Sequence, residues 1–246
     1  MNRRPPKHGE KKEKEINVLL VDGNALFKRS ILGAKDVYNQ KQEHIGGIYQ
    51  FITVLRKLLD DGLYHKAFVF WDGKLSGQLR YNIYHDYKSN RNKDYVNGTH
   101  PIDESELSQK LQIKRYLEEL FIRQYEDKIV ESDDLIAYYC QVSENEDKLI
   151  FSSDRDLTQL ISKNVSIYSP SVKATFKHGD KIKFDDFEFP HYNVKTLKIL
   201  TGDKSDNISG ILRLGEKTIV KYFPEILDSM ITFNHILTKA EELLEQ

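Results

Sequence analysis

The chain has 246 residues, a formal net charge of −1, 39% hydrophobic and 30% charged residues. That supports one large domain or two small ones with a sizeable core, and excludes a fibrous or low-complexity chain. No apolar run nears the roughly 18 residues of a membrane span, no signal peptide is visible, and the single cysteine, Cys140, excludes a disulfide framework or a cysteine metal site and points to a reducing compartment.

Residues 1–15 are polar, with Pro5-Pro6 and a Lys/Glu mixture, and read as a disordered lead-in. Ile16 to Val21 is a short apolar run that reads as a buried parallel strand and ends at Asp22-Gly23-Asn24. A helical pattern follows from Ala25 to Leu32. Gly46-Gly47 opens a second helix, Ile48 to Leu59, with Ile48, Phe51, Ile52, Leu55, Leu58 and Leu59 on one face. Ala67 to Trp71 is the next buried strand, and it too ends in an acid, Asp72-Gly73. Leu75 to about His100 is basic and tyrosine-rich without a clear period in its second half, as suits a mobile or substrate-ordered element.

The pattern Ser105 to Phe121 predicts a helix whose buried stripe is Leu107, Leu111, Tyr116, Leu117 and Leu120. Another helix starts at Glu131-Ser132-Asp133-Asp134. Acids at a helix start are favoured by its dipole, by roughly 0.3–1 kcal/mol each, which explains one or two of them but not all three. A turn of about 100° per residue puts Glu131 and Asp134 on one face. Lys148 to Ser153 is a third strand running into Asp154-Arg155-Asp156, followed by a helical start over Leu157–Ile161 and two short strands, 165–169 and 174–177. Strands alternating with amphipathic helices predict an α/β fold, a mostly parallel central sheet with helices on both faces.

Charge is unevenly spread. Glu118–Asp147 holds ten acids against two bases, whereas Lys163–Lys183 holds five lysines against one acid and Lys195–Lys221 six bases against three acids. An acidic centre between basic segments suits a metal-dependent enzyme acting on a polyanion, although solvated charged faces would account for any one segment.

Ligands of open parallel sheets bind beyond the carboxyl ends of the strands. Three strands end there in Asp22, Asp72 and the pair Asp154/Asp156, which shares a face if extended. Taken alone, each is better read as a turn aspartate or an N-cap. Converging, they would repel and raise their own pKa values unless cations neutralised them. Oxygen donors without His or Cys favour Mg²⁺ or Mn²⁺ over Zn²⁺, and the number of acids suggests two ions, the arrangement used for phosphodiester hydrolysis. A further acidic group, Thr201-Gly202-Asp203-Lys204-Ser205-Asp206-Asn207, follows the helical stretch Val194–Leu200. It leads to Gly210–Thr218 and a helix, Glu216–Phe223, stopped by Pro224, a helix–turn–helix able to offer N–H groups to phosphate.

In order and spacing, Val-Asp-Gly-Asn at 21–24, Phe-Trp-Asp-Gly at 70–73, Tyr-Lys-Ser-Asn-Arg at 87–91, Glu-Ser-Asp-Asp at 131–134, Ser-Ser-Asp-Arg-Asp-Leu at 152–157 and Thr-Gly-Asp-Lys-Ser-Asp-Asn at 201–207 resemble the flap endonuclease and 5′-3′ exonuclease family. Its members include the 5′-nuclease domain of bacterial DNA polymerase I, phage 5′-exonucleases and phage RNase H. The resemblance runs from about residue 16 to 224. It implies a PIN-like core over 16–190 with a helical arch over about 75–104, and a helix–three-turn–helix with a helical end over 191–246.

By the same resemblance Asp22, Asp72, Glu131 and Asp133 would hold a first metal ion, and Asp133, Asp154, Asp156, Asp203 and Asp206 a second, with Asp134 in the acidic set. Lys88 would assist the scissile phosphate. Tyr87, Arg80 and Arg91 would touch nucleic acid from the arch, as Gly210, Arg213, Gly215, Lys217 and Thr218 would from the hairpin. Basic residues interleaved with Tyr81, Tyr84, Tyr87 and Tyr95 suit phosphate contact and base stacking, with arch packing the equal alternative.

The implied substrates are DNA with a 5′ flap or 5′ end and RNA–DNA hybrid, the implied cofactor Mg²⁺, with Mn²⁺ able to substitute. Partners would include replication proteins such as a single-strand-binding protein or sliding clamp, for a monomer in bacterial or phage-infected cytoplasm. Two features depart from the family. Arg213 and Ile219 replace the hairpin's usual Gly and Ala, and since Arg takes positive φ less readily than Gly, this counts against the K⁺ ion that relatives bind there. Only 22 residues follow Pro224, with one helical pattern, Ile226 to Leu244. Two rival readings are a non-catalytic junction clamp, which would gain nothing from clustered acids facing phosphates, and a PIN-type ribonuclease, which would lack the duplex-binding hairpin.

Overall fold

The computed structural model describes residues 18–34, 36–61, 64–90 and 104–244. The polar lead-in, Arg91, Tyr95 and most of the expected arch lie outside them. In chain order the elements are β1 (Val18–Asp22), α1 (Gly23–Leu32), α2 (Gly46–Asp61), β2 (Lys66–Asp72), α3 (Gln78–Ile83), α4 (Glu104–Glu119), β3 (Arg123–Asp127), α5 (Ser132–Val142), β4 (Lys148–Phe151), β5 (Val165–Ser169) and β6 (Ala174–Phe176). There follow the small hairpin β7 (Lys181–Lys183) and β8 (Glu188–Pro190), then α6 (Val194–Thr201), the two-residue strands β9 (Gly202–Asp203) and β10 (Ile208–Ser209), α7 (Glu216–Tyr222) and α8 (Phe233–Leu244).

Six strands form one sheet in the order β3-β2-β1-β4-β5-β6, all parallel except β6. Successive side chains on a strand point to opposite faces, and the apolar runs divide accordingly. Leu19, Val21, Val69, Trp71, Leu149 and Phe151 pack on α1, α2 and α4. Val18, Leu20, Phe68, Phe70, Ile150 and Ile167 pack on α5 and the short 3₁₀ turn Asp156–Leu160. Each fully buried large side chain contributes roughly 1.5–3 kcal/mol, which is why runs apolar on both faces became central strands. A third cluster, with Phe189, Leu197, Leu200, Ile219, Phe223 and Ile226, joins α6 and α7.

Three expectations are corrected. The sheet has an edge strand, β3, where none was read. Its sequence Arg-Gln-Tyr-Glu-Asp is polar because it pairs only with β2 and none of its residues is fully buried. Helix α4 buries Gln109, Ile113 and Leu117, whereas Leu107, Leu111, Tyr116 and Leu120 are exposed. Gln109 is inside because its Oε1 accepts the Gly47 N–H at the start of α2. The pair Asp154/Asp156 is not extended. Arg155 is in the right-handed helical region and the Asp156 N–H donates to Asp154 Oδ1 at 2.8 Å, so the chain turns instead.

Candidate active site

The strand order changes direction between β1 and β4, and at their carboxyl ends the acids gather. Asp22 is the last residue of β1 and the N-cap of α1. It is buried, with Oδ1 accepting the Ala25 N–H at 2.9 Å and Oδ2 the Ser152 hydroxyl, just past β4, at 2.7 Å. Asp72 ends β2 and accepts the Ser132 N–H at 2.7 Å, which ties the start of α5 to the sheet. Glu131 is the buried N-cap of α5, with Asp133 and Asp134 in its first turn.

Burial, together with the nearby carboxylates of Asp72 and Asp154, pushes Asp22 up to about 6. Asp133 is held well above the usual carboxylate range by burial and by Asp22, Asp154, Asp72 and Glu131. The repulsion expected of converging acids is therefore present. Among the described residues no three of them close on one point as a ready-made cage. The reason is visible: most of the others are drawn to the protein's own cations.

Lys88 Nζ donates to Glu131 Oε1 at 2.9 Å. Arg80 forms a two-pronged pair with Asp134, both bonds 2.8 Å, and reaches Glu131 at 3.2 Å, so Glu131 and Asp134 do share a face. Lys198 on α6 pairs with both Asp156 and Asp203. Burial still leaves Asp156 raised. For Asp203, burial pushes up, but the Lys198 and Ser205 hydrogen bonds bring it down to about 2.

Tyr87, expected to meet nucleic acid, is buried with its hydroxyl donating to the Glu131 carboxylate at 3.1 Å and 3.2 Å. Its ring packs rather than presents a stacking face. Lys88 has φ +56, and its N–H donates to the Asp206 carbonyl at 2.9 Å. Asn90 Nδ2 donates to the Lys204 carbonyl at 2.7 Å, and Asn207 Nδ2 to the Asp86 carbonyl at 2.9 Å. These bonds join the segment 86–90 to the loop carrying Asp203 and Asp206.

In the hairpin after α6, a Cβ on Gly210 would meet the Thr201 carbonyl carbon at 2.1 Å and one on Gly202 the Gly210 nitrogen at 2.2 Å. Glycine at 210 is thus required by the close approach of two backbone segments. Arg213 takes φ +65, so the left-handed turn that glycine usually supplies is kept, at roughly 1–2 kcal/mol. Gly215 precedes α7, Lys217 is exposed and pairs with Asp186 at 3.3 Å, and Thr218 lies in the first turn.

The sequence did not single out Ser152, Asn24, Lys110 or Lys198. Ser152 sat in view within Ser-Ser-Asp-Arg-Asp. Lys198 precedes Asp203 by five positions on a helix that the periodicity had found, a spacing that carries no signal until Asp156 is brought beside it.

Residues 17–187 match the family model of the 5′-3′ exonuclease N-terminal resolvase-like domain. The DNA polymerase I of Bacillus subtilis (strain 168) is 29% identical over 244 residues, covering 93% of this chain and 26% of the polymerase. A 5′-3′ exonuclease of Buchnera aphidicola is 26% identical over 229 residues, 91% of this chain and 75% of that protein. The chain thus spans about a quarter of the length of the polymerase relatives. Among solved structures, bacteriophage T5 5′-exonuclease with bound divalent zinc ions superposes with a TM-score of 0.60 at 24% identity, covering 93% of this chain and 86% of that one. The catalytic core of Rad2 in complex with DNA substrate gives 0.52 at 16% identity, over 94% and 72%.

Proposed function

Because the chain belongs to the 5′-3′ exonuclease family, we propose that it is a divalent-metal-dependent 5′-3′ exonuclease and 5′-flap endonuclease acting on DNA or RNA primers in duplex. The observation that carries this reading is the pair of raised acids, Asp22 and Asp133, at the point where the sheet reverses its strand order. A buried carboxylate with like charges beside it and no base to pair with fits a hard divalent cation, and every donor in the set is oxygen.

In this proposal Asp22, Asp72, Glu131 and Asp133 hold one ion and Asp133, Asp154, Asp156, Asp203 and Asp206 the other, with Asp134 orienting Arg80. Two Mg²⁺ ions, or Mn²⁺ in their place, supply when bound a more acidic water and neutralisation of charge on the phosphate and leaving oxygen. The chain's own residues do the rest. Ser152 and the Ala25 N–H fix both oxygens of Asp22, and the Ser132 N–H fixes Asp72. Lys88 and Arg80 stand where a phosphate would replace Glu131 and Asp134 as their partner. Tyr87 keeps Glu131 oriented, and Arg91, outside the described residues, is assigned a further phosphate contact.

Gly210, Arg213, Gly215, Lys217 and Thr218 hold the duplex backbone away from the chemistry. Since Arg213 keeps the left-handed turn, a K⁺ ion at the hairpin stays within the proposal. No helix among the described residues is long and apolar enough to cross a membrane. The reading places the chain in the cytoplasm as a monomer beside replication proteins such as a single-strand-binding protein or sliding clamp.

The test is cleavage of a labelled 5′-flap duplex and of an RNA–DNA hybrid, each with Mg²⁺ and with EDTA. Release of short 5′ products only with Mg²⁺ is expected. Tight junction binding without cleavage would replace the enzyme by a non-catalytic clamp.

A further inference from the structure

The reading above uses Lys88 and Arg80 and leaves Lys110 without a role. Lys110 lies on α4, and its Nζ donates to Asn24 Oδ1 at 3.0 Å and stands 5.3 Å from the centroid of the Trp71 ring. Asn24 donates in turn to Ser132 Oγ at 3.4 Å, and the Ser132 N–H donates to Asp72 Oδ1 at 2.7 Å. A chain of hydrogen bonds therefore runs from this ammonium to the acid rim. Lys114, one turn further on, faces the same ring at 5.4 Å but is paired with Glu126. Among the described residues no carboxylate forms an ion pair with Lys110.

A half-buried ammonium without a counter-ion is costly. Burial and Lys114 push its pKa down, and only Asp72 and Glu126 pull the other way. The Asn24 carbonyl oxygen accepts from a neutral donor as readily as from an ammonium, so this hydrogen bond by itself does not call for a charge. An ammonium has three donors; Asn24 takes one and the ring face attracts the cation without using the others. Asp72 and Glu126 act on Lys110 without pairing with it, so among the described residues its ammonium has no direct anionic partner, and the reaction proposed for this rim brings one, the phosphodiester backbone.

We propose that Lys110, steadied by Asn24, binds a non-bridging phosphate oxygen of the strand being cut, at a position separate from the one served by Lys88. Lys88 reaches Glu131, whereas Lys110 reaches the β1–α1 junction. The proposal rests on the nuclease reading for the identity of its ligand.

The experiment uses the full chain and flap duplexes in which one phosphate at a time near the cleavage point is a neutral methylphosphonate. Binding is measured in EDTA, and single-turnover cleavage in Mg²⁺, for the wild type, Lys110→Gln and Lys110→Arg. For the wild type, one position should weaken binding by about tenfold or more, the scale of one charge-assisted hydrogen bond. Lys110→Gln should bind the unmodified duplex weaker by a similar factor and be indifferent at that position, and Lys110→Arg should restore the sensitivity. A Lys110→Gln protein that keeps the wild-type profile, with a uniform loss or none, would overturn the proposal. If the wild type cleaves nothing in Mg²⁺, the nuclease reading fails, while the binding series still decides whether Lys110 holds a phosphate.

Discussion

Two groups of carboxylates share one rim of the sheet, and the fold treats them differently. In the first, Asp22 and Asp133 have no basic partner among the described residues and burial leaves both raised. In the second, Asp156 and Asp203 share the ammonium of Lys198, and Asp203 is brought down to about 2. The first group has a deficit of positive charge that only a proton or an outside cation can meet. The second carries a cation of its own, which any incoming ion has to displace. The comparison predicts opposite responses to removing charge from the two halves.

The largest effect is expected from Asp22→Asn. Cleavage should fall by about a thousandfold or more, since one ion's charge stabilisation is worth several kcal/mol. Stability should move the other way. Charging a carboxyl whose pKa stands near 6 rather than 3.8 costs on the order of 3 kcal/mol at neutral pH. Between these two values the folded chain binds the proton more tightly than the unfolded one, so metal-free stability falls as pH rises through that window and levels off above it. Asp22→Asn removes this fall. Thermal unfolding in EDTA from pH 4 to 7.5 gives the check: the variant's advantage should grow across the window, and saturating Mg²⁺ should abolish it. An advantage independent of pH would mean that Asp22 is not the strained acid.

Lys198→Met tests the other half, with a smaller effect of opposite sign. Without metal, Asp203 loses the partner that lowers it. The stabilisation it gives above the ordinary carboxylate range, lost as pH falls towards 2, should shrink, and the unfolding temperature at neutral pH should drop by the equivalent of about 1–3 kcal/mol. Asp156 and Asp203 are then freed, so the Mg²⁺ concentration for half-maximal binding, read by calorimetry, should fall severalfold. A requirement unchanged or increased would show that Lys198 does not compete with an ion and that the two groups are less different than they look.

The sequence disclosed whichever parts of this arrangement rest on apolar periodicity or on acids at strand ends. β1, β2 and β4 are buried on both faces along their centres, which read as apolar runs from Val18 to Val21, Phe68 to Trp71 and Leu149 to Phe151. Asp22 and Asp72 sit where those runs stop. β3 stays hidden because an edge strand takes a polar sequence, and the face of α4 is misjudged because Leu107 and Leu111 are exposed while Gln109 is inside. The cations were the least legible. The resemblance names Arg80 and Lys88 for phosphate, but their carboxylate partners in the fold, Asp134 and Glu131, lie 54 and 43 residues away. Lys198 and Lys110 meet residues 42 and 86 positions distant, respectively, through the sheet's crossovers. No spacing rule reaches that far.

The smallest expected effect lies furthest from both acid groups. Lys217 is exposed on α7 and its pair with Asp186 at 3.3 Å is a surface contact, so Lys217→Ala should leave the unfolding temperature nearly unchanged, such pairs being worth about 0–1 kcal/mol. If the hairpin grips duplex phosphate, the variant should bind a flap duplex a few times more weakly. The slope of log affinity against log salt should also drop by about 1, the value of one phosphate contact. Cleavage at saturating substrate and the Mg²⁺ requirement should both stay as in the wild type. Asp22→Asn should do the reverse, losing cleavage while keeping the salt slope, because Asp22 is a buried acid at the end of β1, bonded to Ala25 and Ser152, and not part of the hairpin. A Lys217→Ala slope equal to that of the wild type would remove this lysine from the duplex contact and place the grip elsewhere on the hairpin, on Arg213 or Thr218.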